Sequence, residues 1–326
     1  MTESFVARPR GHAAPVTRVT DRHWGALGPL IADPDVTDVF VNGAAGAFVD
    51  RGGGARPVVP WSLDEGDVRE LAVGLIAAGG RHIDEASPCV DVRLPGGARV
   101  HAVLPPIAPG GTTISVRIPR PEQMDMDALA RRGLFGAATR ARLEGLVRDR
   151  VNLLVTGAGG SGKTTLLSAL LALADPGERI VTIEDVAELR IAHPHHVRLE
   201  ARQPNLEGAG GVGLARLVRE ALRMRPDRLV VGECRGEEVR ELLAALNTGH
   251  DGGAGTLHAN GLDDVPARLE ALGALAGLDD RALARQAASA IGAVVHLERA
   301  PDGARRVAGI GRPSIRADRL VIEVAS

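Results

Sequence analysis

The stretch VNLLVTGAGGSGKTTLLSALLALA, residues 151–174, decides the fold. It opens on an apolar run, passes through a glycine-rich turn and continues with a helical apolar pattern. At the junction, residues 157–164 fit G-x-x-x-x-G-K-[ST]. Glycines let such a loop curl until several backbone N–H groups face one anion, and the positive end of the following helix dipole adds to the field. A compact ammonium then reaches the outer phosphates, and a neighbouring hydroxyl takes Mg2+. Of the 39 Lys and Arg residues, Lys163 is the single lysine. A chain that otherwise uses arginine has kept lysine where a planar guanidinium is too large for the curl. The reading is a nucleotide loop of Gly157, Ala158, Gly159, Gly160, Ser161, Gly162, Lys163, Thr164 and Thr165, with Thr164 as a Mg2+ ligand.

Downstream, apolar runs alternate with helical segments: VNLLVTG, RIVTIED, HVRLE, DRLVVGE, GAGTLHA and AVVHLER. That alternation predicts an α/β domain with a mostly parallel, doubly wound sheet over 150–326. Ligands in such sheets sit at the C-terminal strand edge. Glu184 and Asp185 end one strand there, with Glu188 just beyond, and Glu233 ends another. A carboxylate so placed holds Mg2+ or polarises the water that attacks a γ-phosphate. His250 and His258 flank a glycine-rich strand, where an imidazole can sense that phosphate. Without a cysteine or third histidine at ligand spacing, the pair does not read as zinc. HPHH at 193–196 reads as a solvated turn, because Pro194 breaks helical pairing, and ERAPDGARRV reads as a hairpin through Asp302-Gly303.

Upstream, residues 1–21 are polar and aperiodic and read as a flexible tail. Residues 22–120 predict a smaller α+β domain: a helix, a strand over Val36–Val41, a second short strand, a helix carrying Val68, Leu71, Leu75 and Ile76, and three β-like runs. Residues 121–149 are helical in pattern and read as a linker.

Composition narrows the function. Apolar content of 44% and charged content of 25% describe a globular protein. A net charge of −2 and 2% aromatics, with no Tyr, argue against direct nucleic-acid binding. Cys89 and Cys234 support neither a disulfide scaffold nor a four-thiolate zinc site, and are expected as small buried residues. The N-terminus lacks a signal-peptide core, and no run approaches the roughly 18 apolar residues of a membrane span, so a cytoplasmic protein without stable membrane insertion is expected.

Four motifs in order, GAGGSGKTT, TIEDVAEL, RMRPDRLVVGECRGEE and NTGHDGGAGTLHAN, resemble the type II/IV secretion ATPase superfamily. VRLEARQPNLEGAG, EALRMRPDRLVVGE, LIADPDVTDVFVNG and DVRLPGGARVHAVLPP look similar to its CpaF branch, the ATPases of Tad pili. The resemblance implies a PAS-like N-terminal domain before a RecA-like P-loop domain, hexameric rings, ATP and Mg2+ as ligands, and peripheral attachment to inner-membrane platform proteins of a pilus or secretion system. It implies Lys163 and Thr164 on the phosphates and Mg2+, Glu233 activating water, Glu184 assisting, and His258, with His250, as sensors. It also implies N-domain arginines against the γ-phosphate, for which Arg99 and Arg117 fit best and Arg93 less well. The loop carries Ala158-Gly159 where that family more often has Pro-Thr, and the four-cysteine element of some type II members is missing. A conjugation-associated ATPase and a non-motor ATP-binding regulator are the other readings.

Overall fold

The computed structural model describes residues 22–118, 124–202, 210–300 and 303–324, and the chain divides into two units between residues 122 and 123. The expected tail at 1–21 lies outside the described residues.

Period-two alternation builds the first unit. A short α1 (Gly28–Ala32) precedes β1 (Asp38–Asn42), β2 (Ala47–Asp50) and β3 (Ala55–Pro57). After α2 (Glu65–Ala78) come β4 (Cys89–Arg93), β5 (Arg99–Val103) and β6 (Thr113–Arg117). All neighbours pair antiparallel in the order β3-β2-β1-β6-β5-β4. Val39, Val41, Val90, Val92, Val100, Ala102, Ile114 and Val116 point to one buried face, as a half-covered sheet requires. Helix α2 starts at a reciprocal cap in which Asp64 accepts from the Asp67 amide and Asp67 accepts from the Asp64 amide. Its Val68, Ala72, Leu75 and Ile76 complete that core. Cys89 is exposed, against expectation, because it opens β4 on the face that alternation leaves to solvent; Cys234 is buried as expected.

In the second unit, α3 (Met126–Arg131) and α4 (Ala137–Arg148) occupy the stretch expected as a linker. They are part of the domain instead: Met126, Leu129, Leu143 and Val147 share a core with Leu153, Leu166 and Leu170. There follow β7 (Leu153–Gly157), α5 (Lys163–Leu171), β8 (Ile180–Glu184), β9 (His196–Glu200), α6 (Leu214–Leu222), β10 (Arg228–Cys234), α7 (Glu238–Leu246) and β11 (Ala254–Leu257). Then come α8 (Val265–Leu275), α9 (Asp280–Ala290), β12 (Ala293–Arg299), β13 (Arg305–Arg316) and β14 (Arg319–Val324). The strand order is β14-β13-β12-β7-β11-β10-β8-β9. Pairing is parallel from β12 to β9 and antiparallel at β12–β13–β14. The inner strands β7, β8, β10, β11 and β12 are apolar on both faces because helices cover both. Leu154, Ile183, Val231 and Val294 meet α6, α7, α8 and α9, whereas Val155, Ile180, Val230 and Val295 meet α3, α4 and α5. The antiparallel β12–β13 pair matches the hairpin reading, whose tip at residues 301–302 lies outside the described residues.

Candidate nucleotide site

The phosphate loop leaves β7 at Gly157, whose φ is +150°; a Cβ there would collide with the Leu297 carbonyl and the Ser161 hydroxyl. Gly162, at φ +100°, turns the chain into α5 in a left-handed conformation that side chains disfavour. Lys163 is thus the first residue of α5, only 7% exposed, and its Nζ donates to the carbonyls of Gly157 and Ala158, both at 2.9 Å. Burial lowers its pKa, and the carboxylates of Glu233 and Glu188 counter that shift.

Parallel register brings the acid and the histidine to this edge. Leu257 pairs with Thr156, so His258 follows β11 level with Gly157. The β10–β11 register shifts between Val231 and Cys234, and that irregularity sets Glu233 against His258, with Oε1 2.6 Å from Nε2. The carboxylate can accept only from an Nε2 that carries its proton. The same nitrogen lies 3.5 Å from Lys163 Nζ, which makes Lys163, His258 and Glu233 one continuous polar cluster.

Glu184 is placed differently. It is 4% exposed, and its Oε1 accepts from the amides of Glu188 and Leu189, both at 2.9 Å. It packs where a Cβ on Gly232 would stand, 2.5 Å from its Cγ, and burial raises its pKa. Its carboxylate braces the segment after β8. Asp185 forms an ion pair with Arg235 across the loops after β8 and β10, and Glu188 is exposed near Lys163.

His250 is not brought to the loop. It precedes β11, whose first residue Ala254 pairs with Leu153 at the start of β7, so it lies at the opposite sheet edge. Its Nδ1 sits 3.1 Å from the Ala245 carbonyl at the end of α7. The sequence shows two histidines around a strand, but not that the strand separates them by its own length.

Two contacts at the loop escaped the sequence reading. Thr156 Oγ1 lies 2.9 Å from Nδ1 of the buried His296 on β12, directly behind Gly157, and burial lowers that histidine's pKa. Arg305, at the start of β13, donates from Nε to the Gly160 carbonyl at 2.8 Å. Adjacent-strand pairing is the signal behind the first; nothing local announces the second.

The HPHH imidazoles all engage protein groups: His193 the Asp175 carbonyl, His195 the Arg179 guanidinium and His196 the Thr182 hydroxyl. Among the described residues no group of three or more His, Cys, Asp or Glu side chains gathers as a metal site, and no helix is long and apolar enough to cross a membrane. In the first unit, Arg93 pairs with Arg99 and Arg99 with Arg117, so the three expected arginines share one row across β4, β5 and β6.

Residues 22–312, which contain every one of these site residues, match the family described as Type II/IV secretion system protein. The chain belongs to that family. Similar to this secretion-family chain is a putative conjugal transfer protein of Mycobacterium tuberculosis, 51% identical over 292 residues, 88% of this chain and 83% of that one. The probable conjugal transfer protein TrbB of Sinorhizobium fredii is 30% identical over 327 residues, 96% of this chain and 97% of the relative. Among solved structures, the pilus retraction motor PilT with bound ADP aligns with TM-score 0.59 and 22% identity over 89% of this chain and 79% of that one. The Yersinia pseudotuberculosis ATPase DotB aligns with TM-score 0.61 and 17% identity over 98% and 85%. These likenesses extend the family assignment to the fold.

Proposed function

We propose that this chain is a Mg-dependent ATPase that works as a hexameric motor for a secretion or pilus machine, at the cytoplasmic face of a membrane platform. The observation that carries the reading is the cluster of Lys163, His258 and Glu233 at the mouth of the phosphate loop. Loop N–H groups hold the β-phosphate, and Lys163 exchanges its two loop carbonyls for phosphate oxygens, so that its buried charge gains an anion. His258 turns its Nε2–H from Glu233 to the γ-phosphate, and the released Glu233 carboxylate takes a proton from the attacking water. Thr164 and Glu233 supply one hydroxyl and one carboxylate, the sparse oxygen set that suits Mg2+ when phosphates complete its shell. A Mg2+ ion held by Thr164 and Glu233 would supply charge neutralisation at the phosphates. Glu184 acts as a positioning residue through the 188–189 amides, and Asp185 through Arg235.

Arg99 and Arg117, with Arg93 beside them, are the proposed arginines for the γ-phosphate. Their shared row supports this, since three neighbouring strands present positive charge in one line. Setting aside the edge strand β3, the first unit's strands run in the 2-1-5-4-3 order of a PAS-like sheet, which supports that label. The CpaF-like motifs support a Tad-pilus motor. The conjugal-transfer names of the relatives favour a second reading, a motor for DNA or protein transfer. Neighbouring genes for two polytopic platform proteins and a short pilin identify the first, and DNA-processing genes the second.

In purified protein, Lys163→Ala is expected to lose ATP binding. Glu233→Gln is expected to keep binding and hexamers while hydrolysis falls at least about 100-fold. EDTA is expected to stop the wild type. A monomer whose hydrolysis survives Glu233→Gln is a nucleotide switch, and the motor reading is then wrong.

A further inference from the structure

Glu233 stands outside the core because β10 carries one extra residue. From Val231 to Cys234 that strand advances three positions, while β11 advances two, from Gly255 to Leu257. Gly232 and Glu233 together therefore oppose one residue, Thr256, which makes a bulge in a parallel ladder. Its consequence follows from the period of two. A regular strand would put Glu233 on the face of Val231, in the core beneath α6 to α9, and Cys234 on the other face. The extra residue brings Cys234 into the cluster of Val231 instead, and the Glu233 carboxylate is left partly exposed against His258.

A bulge interrupts the ladder, and a main-chain group that loses its ladder partner needs another. The Gly232 carbonyl meets the Thr256 hydroxyl, which donates to it at 2.5 Å. Thr256 is only 1% exposed, so water does not compete for that bond. Toward β8 the strand passes Glu184 closely: a Cβ on Gly232 would stand 2.5 Å from its Cγ. The peptide leading to Glu233 is thus held by one hydroxyl on β11 and by packing against the end of β8. His258 follows Thr256 by two residues, so the strand that fixes the bulge also carries the partner of Glu233. A valine would fill the same space with the same branching. What threonine adds is the donor.

Resting on the catalytic reading of Glu233, we propose that Thr256 is its positioning residue: the hydroxyl holds the Gly232 carbonyl, sustains the bulge and so keeps the carboxylate at His258 and off the core face. It acts through the main chain of Gly232. Turnover therefore depends on a buried hydroxyl on β11, whereas nucleotide binding by the phosphate loop does not.

Thr256→Val, which keeps the branched shape and removes the donor, tests this in the full-length chain. It is expected to lower kcat about ten- to a hundredfold. The KM for ATP and the calorimetric ADP affinity are expected to stay within about twofold of wild type. Thr256→Ser, which keeps the donor, is expected to retain most of the turnover. Added to Glu233→Gln, Thr256→Val is expected to cost nothing further, because the hydroxyl acts through that carboxylate. In nucleotide-free protein, Thr256→Val is expected to speed amide exchange at residues 232–234 while β7 and β8 keep their protection. An unchanged kcat, an equal loss in Thr256→Ser, a matching loss of ADP affinity, or a loss that adds to that of Glu233→Gln overturns the proposal. Exchange that rises across the whole sheet overturns it too, since Thr256 then holds the fold and not the bulge. Hydrolysis that survives Glu233→Gln instead marks failure of the catalytic reading itself, whereas full turnover in Thr256→Val beside an inactive Glu233→Gln fails the proposal alone.

Discussion

Lys163 and Glu184 show how one sheet edge handles two buried charges. The lysine is half-satisfied by carbonyls it can exchange for phosphate, whereas the glutamate is tied to amides that belong to its own segment. Burial raises the Glu184 pKa above the 4.5 of an ordinary glutamate, so the folded chain holds this proton more firmly than the unfolded chain. The stability this proton contributes is fully present below 4.5 and is lost as pH rises through the raised value. Glu184→Gln keeps an acceptor for the two amides and carries no charge, so its stability relative to wild type is expected to grow from about pH 5 to about pH 8 in denaturant melts. Glu184→Ala removes the acceptor and is expected to lose roughly 1–3 kcal/mol at either pH. An advantage of Glu184→Gln that shrinks with rising pH would contradict the sign. The phosphate loop was readable because its chemistry is packed into nine consecutive residues around the chain's single lysine. Arg305 was not, since it meets Gly160 across 145 positions and is one arginine in a chain that uses arginine throughout.

Elements were legible where their period was clean. Five of the six apolar runs of the second unit became β7, β8, β10, β11 and β12 because each is largely buried on two faces, and sequence alone carries that pattern; the sixth became the edge strand β9. The β13–β14 hairpin was not, and its turn explains why. Arg316 pairs with Arg319, leaving Ala317 and Asp318 as a two-residue turn with φ of +49° and +61°. That geometry is usually announced by Asn-Gly, and Ala-Asp carries no such signal. At the other end of the sheet, β9 is an edge strand that pairs with β8 alone among the described strands, and His196 opens it with Nε2 3.0 Å from the Thr182 hydroxyl. Burial, helped by the charges of Arg198 and His193, lowers the His196 pKa from 6.5 to about 4. The folded chain therefore resists protonation that the unfolded chain accepts; the stabilisation is present above 6.5 and is lost as pH falls toward about 4. Hydrogen-exchange protection of residues 196–200 is expected to fall over that interval, ahead of β7 and β11. His196→Gln, which keeps a partner for Thr182 without the titration, is expected to flatten the loss. Protection that declines uniformly across the sheet would remove β9 as the acid-sensitive edge.

At the scale of the whole molecule, the proposed chemistry is divided between two units that each bury their own core. In the proposed reading, the loop, acid and histidine of the second unit bind the nucleotide. The proposed transition-state arginines belong to the first. Their placement is costly for a domain designed only to fold, because like charges directly opposite one another in antiparallel strands repel. Asp38 pairs with Arg117 in the same row and offsets part of that repulsion, yet Arg93, Arg99 and Arg117 still stand side by side. Arg117 is exposed and its strand neighbours Val116 and Ile118 carry the packing, so its removal separates function from folding. Arg117→Ala is expected to lower kcat by at least about 100-fold, the scale of a transition-state arginine. Calorimetric ADP affinity is expected to stay within about twofold, because a group that acts on charge developing at the γ-phosphate contributes little to the diphosphate complex. Arg99→Ala is expected to give the same split with some loss of thermal stability, since that residue is half-buried. Equal losses of kcat and ADP affinity would mean that the row binds the ground state, and an unchanged kcat would confine hydrolysis to the second unit and leave the first to another role.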